Sequence, residues 1–153
     1  MAAGQPVPGR HRHRLGAMVE AVPIDSGSPL EGSLCMAKAA LIVFADIETH
    51  ADLGRVVNAM VTAREFSEAG DDARLIFDGA GTRWIGELAK PDHRSHRLYE
   101  SVRGQIAGAY AYCAAAFHAK EQIEAAGIPL LDEFKQHPSV HRLVAAGYEV
   151  ITF

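Results

Sequence analysis

"MAKAALIVFADIETHADLGRVVNAMVTAREFSEAG" (Met36–Gly70) is the stretch that decides the fold. Within it, "AALIVFA" (Ala39–Ala45) is an unbroken apolar run that stops at Asp46, the mark of a strand covered on both faces. The period then changes. Thr49 stands three residues before Asp52, as a capping box requires. Leu53, Val56, Val57, Met60 and Val61 then fall on one side of a helix that Gly70 can stop. A buried strand feeding an amphipathic helix is the opening unit of an α/β protein.

The same grammar recurs downstream. "ARLIFDGAGT" (Ala73–Thr82) reads as a strand through Phe77, a Gly-rich turn, and a short helix from about Thr82 to Lys90, ended by Pro91. Asp92 can cap a further helix to about Arg103, with Leu98 and Val102 inward and Gly104 closing it. "GAYAYC" (Gly108–Cys113) reads as the third strand and Ala114–Ala126 as its alanine-rich helix, stopped by Gly127. "IPLL" (Ile128–Leu131) is a short fourth strand. Pro138 suits the first turn of a last helix to about Ala146, with His137 or a neighbour as its cap, and "YEVITF" (Tyr148–Phe153) is strand five. Strands alternating with helices predict an α/β fold of three layers, α/β/α, around a mainly parallel sheet of about five strands.

Outward from this domain, the texture thins. Residues 1–37 hold Pro6, Pro8, Pro23 and Pro29 among scattered Gly and Ser, and are expected to form a disordered extension of a single domain over 38–153. Met36 stands where the dense pattern begins, so translation is expected to start there; native peptides from residues 1–35 would contradict this. The formal charge is −4 overall, +1 over residues 1–38 and −5 over 39–153. An acidic domain offers no field for nucleic acid, and "RHRHR" (Arg10–Arg14) is too short to supply one. No stretch has the apolar length of a membrane span, and no apolar run follows the N-terminal arginines as in a secretory signal, so a cytoplasmic location is expected.

In parallel sheets chemistry collects beyond the carboxyl ends of the strands. Three segments are expected there: "DIETH" with Asp46 and His50, "DGAGT" with Asp78, Gly79, Gly81 and Thr82, and Cys113. Cys113 and Cys35 form neither a CxxC pair nor a metal cluster. A cysteine where a strand meets a helix start can have its thiolate favoured by free N–H groups, although a free cysteine can equally be a small buried hydrophobe. His50 could approach it from the first loop, while His118 need not face it. The pairs His93/His96 and His137/His141 lack a third metal ligand in motif spacing and read as solvated. Neither phosphate motif is complete. Trp84 falls where a dinucleotide fingerprint needs its third glycine, and Glu87 and Leu88 replace the Lys and Ser/Thr of a Walker A loop.

The order "AALIVFAD", "GRVVNAMVTAREFSEAGDDARLIFDGAGT", "GAYAYCAAAFHAKEQIEAAGI" and "AAGYEVITF" resembles the DsrE/DsrF-like family of small α/β proteins related to sulfur-relay subunits, over about residues 38–153. The resemblance implies a sulfur carrier or sulfurtransferase-like protein in which Cys113 holds sulfane sulfur as a persulfide. It further implies no cofactor, sulfur donor and acceptor proteins as partners, and a homo-oligomer. The alternative is a non-catalytic module of the same fold, with a structural Cys113 and a crevice that binds a small ligand or partner chain.

Overall fold

The computed structural model describes Met1, residues 36–135, His137 and residues 139–153. The expectations for residues 2–35, for Cys35 and for Pro138 therefore fall outside the described residues. The described residues from 36 onward belong to one compact unit.

Five strands form one sheet: β1 (Lys38–Val43), β2 (Asp72–Phe77), β3 (Ile106–Tyr110), β4 (Leu130–Leu131) and β5 (Glu149–Thr152). Every pairing is parallel and the spatial order is β4-β3-β2-β1-β5. Helices α1 (His50–Ala69), α2 (Arg83–Leu88), α3 (His96–Ser101), α4 (Ala111–Ala116), α5 (Lys120–Ala125) and α6 (Val140–Ala145) join them. The expected three-layer α/β architecture is the one observed.

The order of strands explains how the layers divide. From β1 to β4 the chain steps one way across the sheet, so right-handed crossovers put the intervening helices on one face. The connection from β4 to β5 returns past β1 and places α6 on the other face. The two cores record this. Val56 and Met60 of α1, Ile85 and Leu88 of α2, Tyr99 of α3 and Ile123 of α5 pack with Leu41, Val43, Leu75 and Phe77. On the opposite face Leu143 of α6 packs with Ala40, Ile42, Ile76, Tyr110 and Tyr148. Alternate residues of β1 thus serve opposite cores, which is why "KAALIV" is apolar without a break.

Local signals held where they were strongest. Thr49 and Asp52 form the reciprocal capping box, and Gly70 ends α1 in the left-handed conformation. The inward stripe differs in part: Ala59 and Ala63 are buried, while Val61 is half exposed. Small residues at those two positions let α1 lie close to the sheet, so the helix rotates its alanines inward rather than its outlying valine.

Other boundaries moved. Ser95, and not Asp92, stands at the head of α3, which begins at His96, and the segment before it is turn. The third strand starts two residues earlier than Gly108 and ends at Tyr110, so Cys113 lies within the first turn of α4 rather than ahead of a helix. The expected continuous helix over Ala114–Ala126 breaks. α4 closes where the Ala119 N–H reaches back to the Ala114 carbonyl (2.8 Å) and His118 takes φ +55, the six-to-one bond of a Schellman ending with histidine in the usual glycine position. Of the expected cap, His137 or a neighbour, it is the neighbour Ser139 that caps α6, by accepting the Arg142 N–H.

Tyr99 is wholly buried, and its hydroxyl has no hydrogen-bond partner among the described residues. Burial pushes its pKa up, so it stays neutral. An unpaired buried hydroxyl costs about 1–3 kcal/mol. Tyr99→Phe should therefore raise the stability by about 1 kcal/mol, read as a higher urea midpoint at unchanged slope. A lower midpoint would mean that the hydroxyl does have a partner.

Candidate functional site

The outgoing loops of β3 and β4 lead to opposite faces of the sheet, one to α4 and the other to α6. Adjacent strands that diverge in this way leave a crevice beyond their carboxyl ends, the usual place for chemistry in a parallel sheet. Cys113 comes from the first turn of α4, directly after β3, and His137 from the loop after β4. Asp78 comes from the end of neighbouring β2. One ligand-type atom of each residue lies within 4.8 Å of the other two.

Each side chain is held by a local device. The Asp78 N–H donates to the Val43 carbonyl (2.9 Å), continuing the strand ladder, and its Oδ1 accepts the Gly79 N–H at 2.6 Å. The same Oδ1 accepts the Cys113 S–H at 3.1 Å. Behind it the chain makes a 3-10 turn over Gly79–Thr82, closed by the buried Thr82 hydroxyl donating to the Gly79 carbonyl (2.8 Å). Thr82 therefore shapes the loop from within and makes no side-chain cap to α2. His137 is pinned by a bridge to Phe134, with paired N–H to carbonyl bonds of 2.6 and 2.8 Å. Its ring meets Tyr110 edge-on at 5.6 Å and Tyr112 at 5.4 Å.

The electrostatics are not those of an exposed helix-end thiolate. Burial pushes the Cys113 thiol up, the hydrogen bond to Asp78 adds to this, the Gly79 N–H opposes it, and the Asp78 charge raises it further. Of the two readings of Cys113, a thiolate favoured by the helix start and a small buried thiol, these causes weigh against the first. α4 has only six residues, and a carboxylate stands against the sulfur. Tyr110 is pushed up to about 12, first by burial and then by the Asp78 charge, and remains a neutral wall of the site.

These causes predict a pH dependence. Alkylation of Cys113 by iodoacetamide should inflect above the ordinary thiol range. Asp78→Asn removes the accepting carboxylate and its charge but leaves the burial, so the inflection should move partway down and the neutral-pH rate should rise several-fold. Equal rates in the two proteins would contradict the assignment of Asp78 as a cause.

The remaining expected site residues divide. "DGAGT" accompanies Cys113, whereas "DIETH" serves other partners. Asp46 accepts from Arg83 at 2.8 Å and from the Ile47 N–H at 2.7 Å. His50 at the start of α1 lies 3.5 Å from Arg94 and lines a separate hollow with Trp84 and His93. The other histidines read as solvated also need correction, because His93 accepts the Ser95 N–H and packs on Trp84, and His96 Nδ1 meets the Leu88 carbonyl at 2.8 Å. His137, also read as solvated, is instead half-buried beside Asp78 and Cys113. His141, four residues on, is exposed.

No protein-family model matches the chain, and no solved structure matches it. It is similar to Uncharacterized protein MJ0733 of Methanocaldococcus jannaschii, at 24% identity over 115 residues, covering 74% of this chain and 93% of that protein. No helix among the described residues is long and apolar enough to cross a membrane.

Proposed function

We propose that the protein is a DsrE/DsrF-like sulfur carrier that holds sulfane sulfur as a persulfide on Cys113, and the convergence of Asp78, Cys113 and His137 at the divergent β3/β4 loops carries the reading. A resting thiol hydrogen-bonded to Asp78 is protonated and unreactive until its proton leaves. His137 is near enough to take it with a small movement of its loop. The thiolate then attacks the outer sulfur of a donor persulfide. The new Sγ–S bond forms as the donor S–S bond breaks, the donor departs as a thiolate, and the proton held by His137 returns to it. The sulfur changes hands without net oxidation, so no cofactor is called for.

Aromatic surface around the site supports donor and acceptor proteins as partners. Phe44, Tyr112 and Phe134 are 45%, 56% and 60% exposed, and rings of this kind anchor protein contacts. Self-association, which the family resemblance implies, and a cytoplasmic location, expected from the sequence, belong to the same proposal. The test is to expose the protein to a small persulfide donor and map added sulfur by peptide mass spectrometry. Reductant-labile sulfur on the Cys113 peptide, absent in Cys113→Ser, is the expected result; sulfur elsewhere or none would overturn it.

The raised thiol favours a second reading, in which Cys113 is structural and the chain is a binding module. A separate cavity of about 520 Å³, lined in part by Arg83, Lys90, Phe117 and Gln122, has the size and mixed lining of a small-ligand site. Under this reading Cys113→Ser leaves partner and ligand binding intact while no sulfur is loaded.

A further inference from the structure

We infer that Asp78, Cys113 and His137 form a binding site for a borderline-soft divalent transition-metal ion of the zinc type, with a fourth coordination position left open. The inference does not depend on sulfur transfer, since it needs only the convergence of the three donors.

The donor set is one carboxylate oxygen, one sulfur and one imidazole nitrogen, each following a different strand of the sheet. Thiolate together with imidazole selects zinc and its neighbours over magnesium or calcium, which prefer oxygen ligands alone. Three protein ligands with one vacant position is the pattern of tetrahedral sites that bind water or a substrate. Metal–ligand bonds of about 2.0–2.3 Å at tetrahedral angles require donors about 3.5 Å apart. Asp78 Oδ1 and Cys113 Sγ are already 3.1 Å apart, and no pair exceeds 4.8 Å. Closing onto a metal therefore takes movements of about 1 Å, most readily by His137 on its loop.

The surroundings suit coordination. The Gly79 N–H that holds Asp78 Oδ1 would orient the carboxylate as a metal ligand as well. Tyr110 and Tyr112 flank the imidazole and limit its rotation. On binding, the Cys113 S–H bond breaks, its proton passes to solvent, and the sulfur–metal bond replaces the hydrogen bond to Asp78. Nothing is oxidised or reduced.

The test uses the full chain, reduced and stripped with chelator, titrated anaerobically with Co²⁺ as the spectroscopic probe. One equivalent should produce a near-ultraviolet thiolate-to-cobalt charge-transfer band with visible bands of tetrahedral cobalt, and Zn²⁺ should bleach both. Cys113→Ser should abolish the charge-transfer band, and Asp78→Asn and His137→Ala should each weaken binding at least about tenfold. Cys35→Ser and His141→Ala should leave the spectrum unchanged. Far-ultraviolet circular dichroism of each variant confirms that losses are not unfolding. The absence of a charge-transfer band at stoichiometric cobalt would overturn the site. So would a band that survives Cys113→Ser, one lost in Cys35→Ser or His141→Ala, or full affinity retained in both Asp78→Asn and His137→Ala.

Discussion

Gly81→Ala should destabilise the domain by about 3 kcal/mol or more, lowering the thermal midpoint by about 10 °C. A Cβ at residue 81 would stand 2.2 Å from the Val43 carbonyl oxygen and 2.9 Å from its carbon. The obstacle is backbone at the end of β1, an interior strand, so no side-chain rotation relieves it. That carbonyl also accepts the Asp78 N–H. Pushing it away loosens the anchor of Asp78, so the substitution should disturb the Cys113 site along with the fold. Gly81→Ala with a wild-type midpoint, read by thermal circular dichroism, would mean that the turn does not lie against β1 as described. The pairing of Cys113 with Asp78 would then lose its foundation.

His137→Ala should slow the loading of sulfur onto Cys113 by about 100-fold, the lower range for a positioned acid–base group. His137 is half-buried on a loop and belongs to neither main core cluster, so the variant should keep its fold and its midpoint. The distinguishing readout is the pH profile. If His137 takes the thiol proton, the variant recovers at high pH, where hydroxide deprotonates the thiol directly. A parallel loss at every pH would instead show a positioning role through Tyr110 and Tyr112. No loss would remove His137 from the mechanism.

The contrast between Asp78 and His137 shows what was legible in the sequence. Asp78 follows an apolar strand and precedes a Gly-rich turn, so its place at a strand end follows from local pattern alone. Cys113 is read to within a turn in the same way. The closeness of His137 depends on two non-local facts: β4, only two residues long, pairs with β3, and the next crossover lands on the opposite face. Neither leaves a periodic trace in "LLDEFKQHPS", where the histidine looks like loop surface. The mirror-image error is His50. It lies in the segment after the first strand, yet as the first residue of α1, behind the Thr49 cap, it meets Arg94 rather than the cysteine.

The break after α4 was hidden for a different reason. "AAAFHAKEQIEA" has continuous helix propensity, and tertiary packing decides against it. Ala114, Ala119 and Ile123 are all buried in the same core, and a straight helix could not point the first two and the third at the sheet while keeping Cys113 beside Asp78. His118 bears the cost, in a left-handed conformation that costs a non-glycine residue about 1–2 kcal/mol.

The most direct test of the account is stoichiometric sulfur transfer. The protein is loaded with a small persulfide, freed of excess donor, and mixed with a thiol acceptor while intact mass is followed in time. One labile sulfur per chain is expected, carried by Cys113 and leaving at the rate the acceptor gains it, and none in Cys113→Ser. A wild-type chain that takes up no sulfur, or that holds it without yielding it to a thiol, would contradict the carrier function.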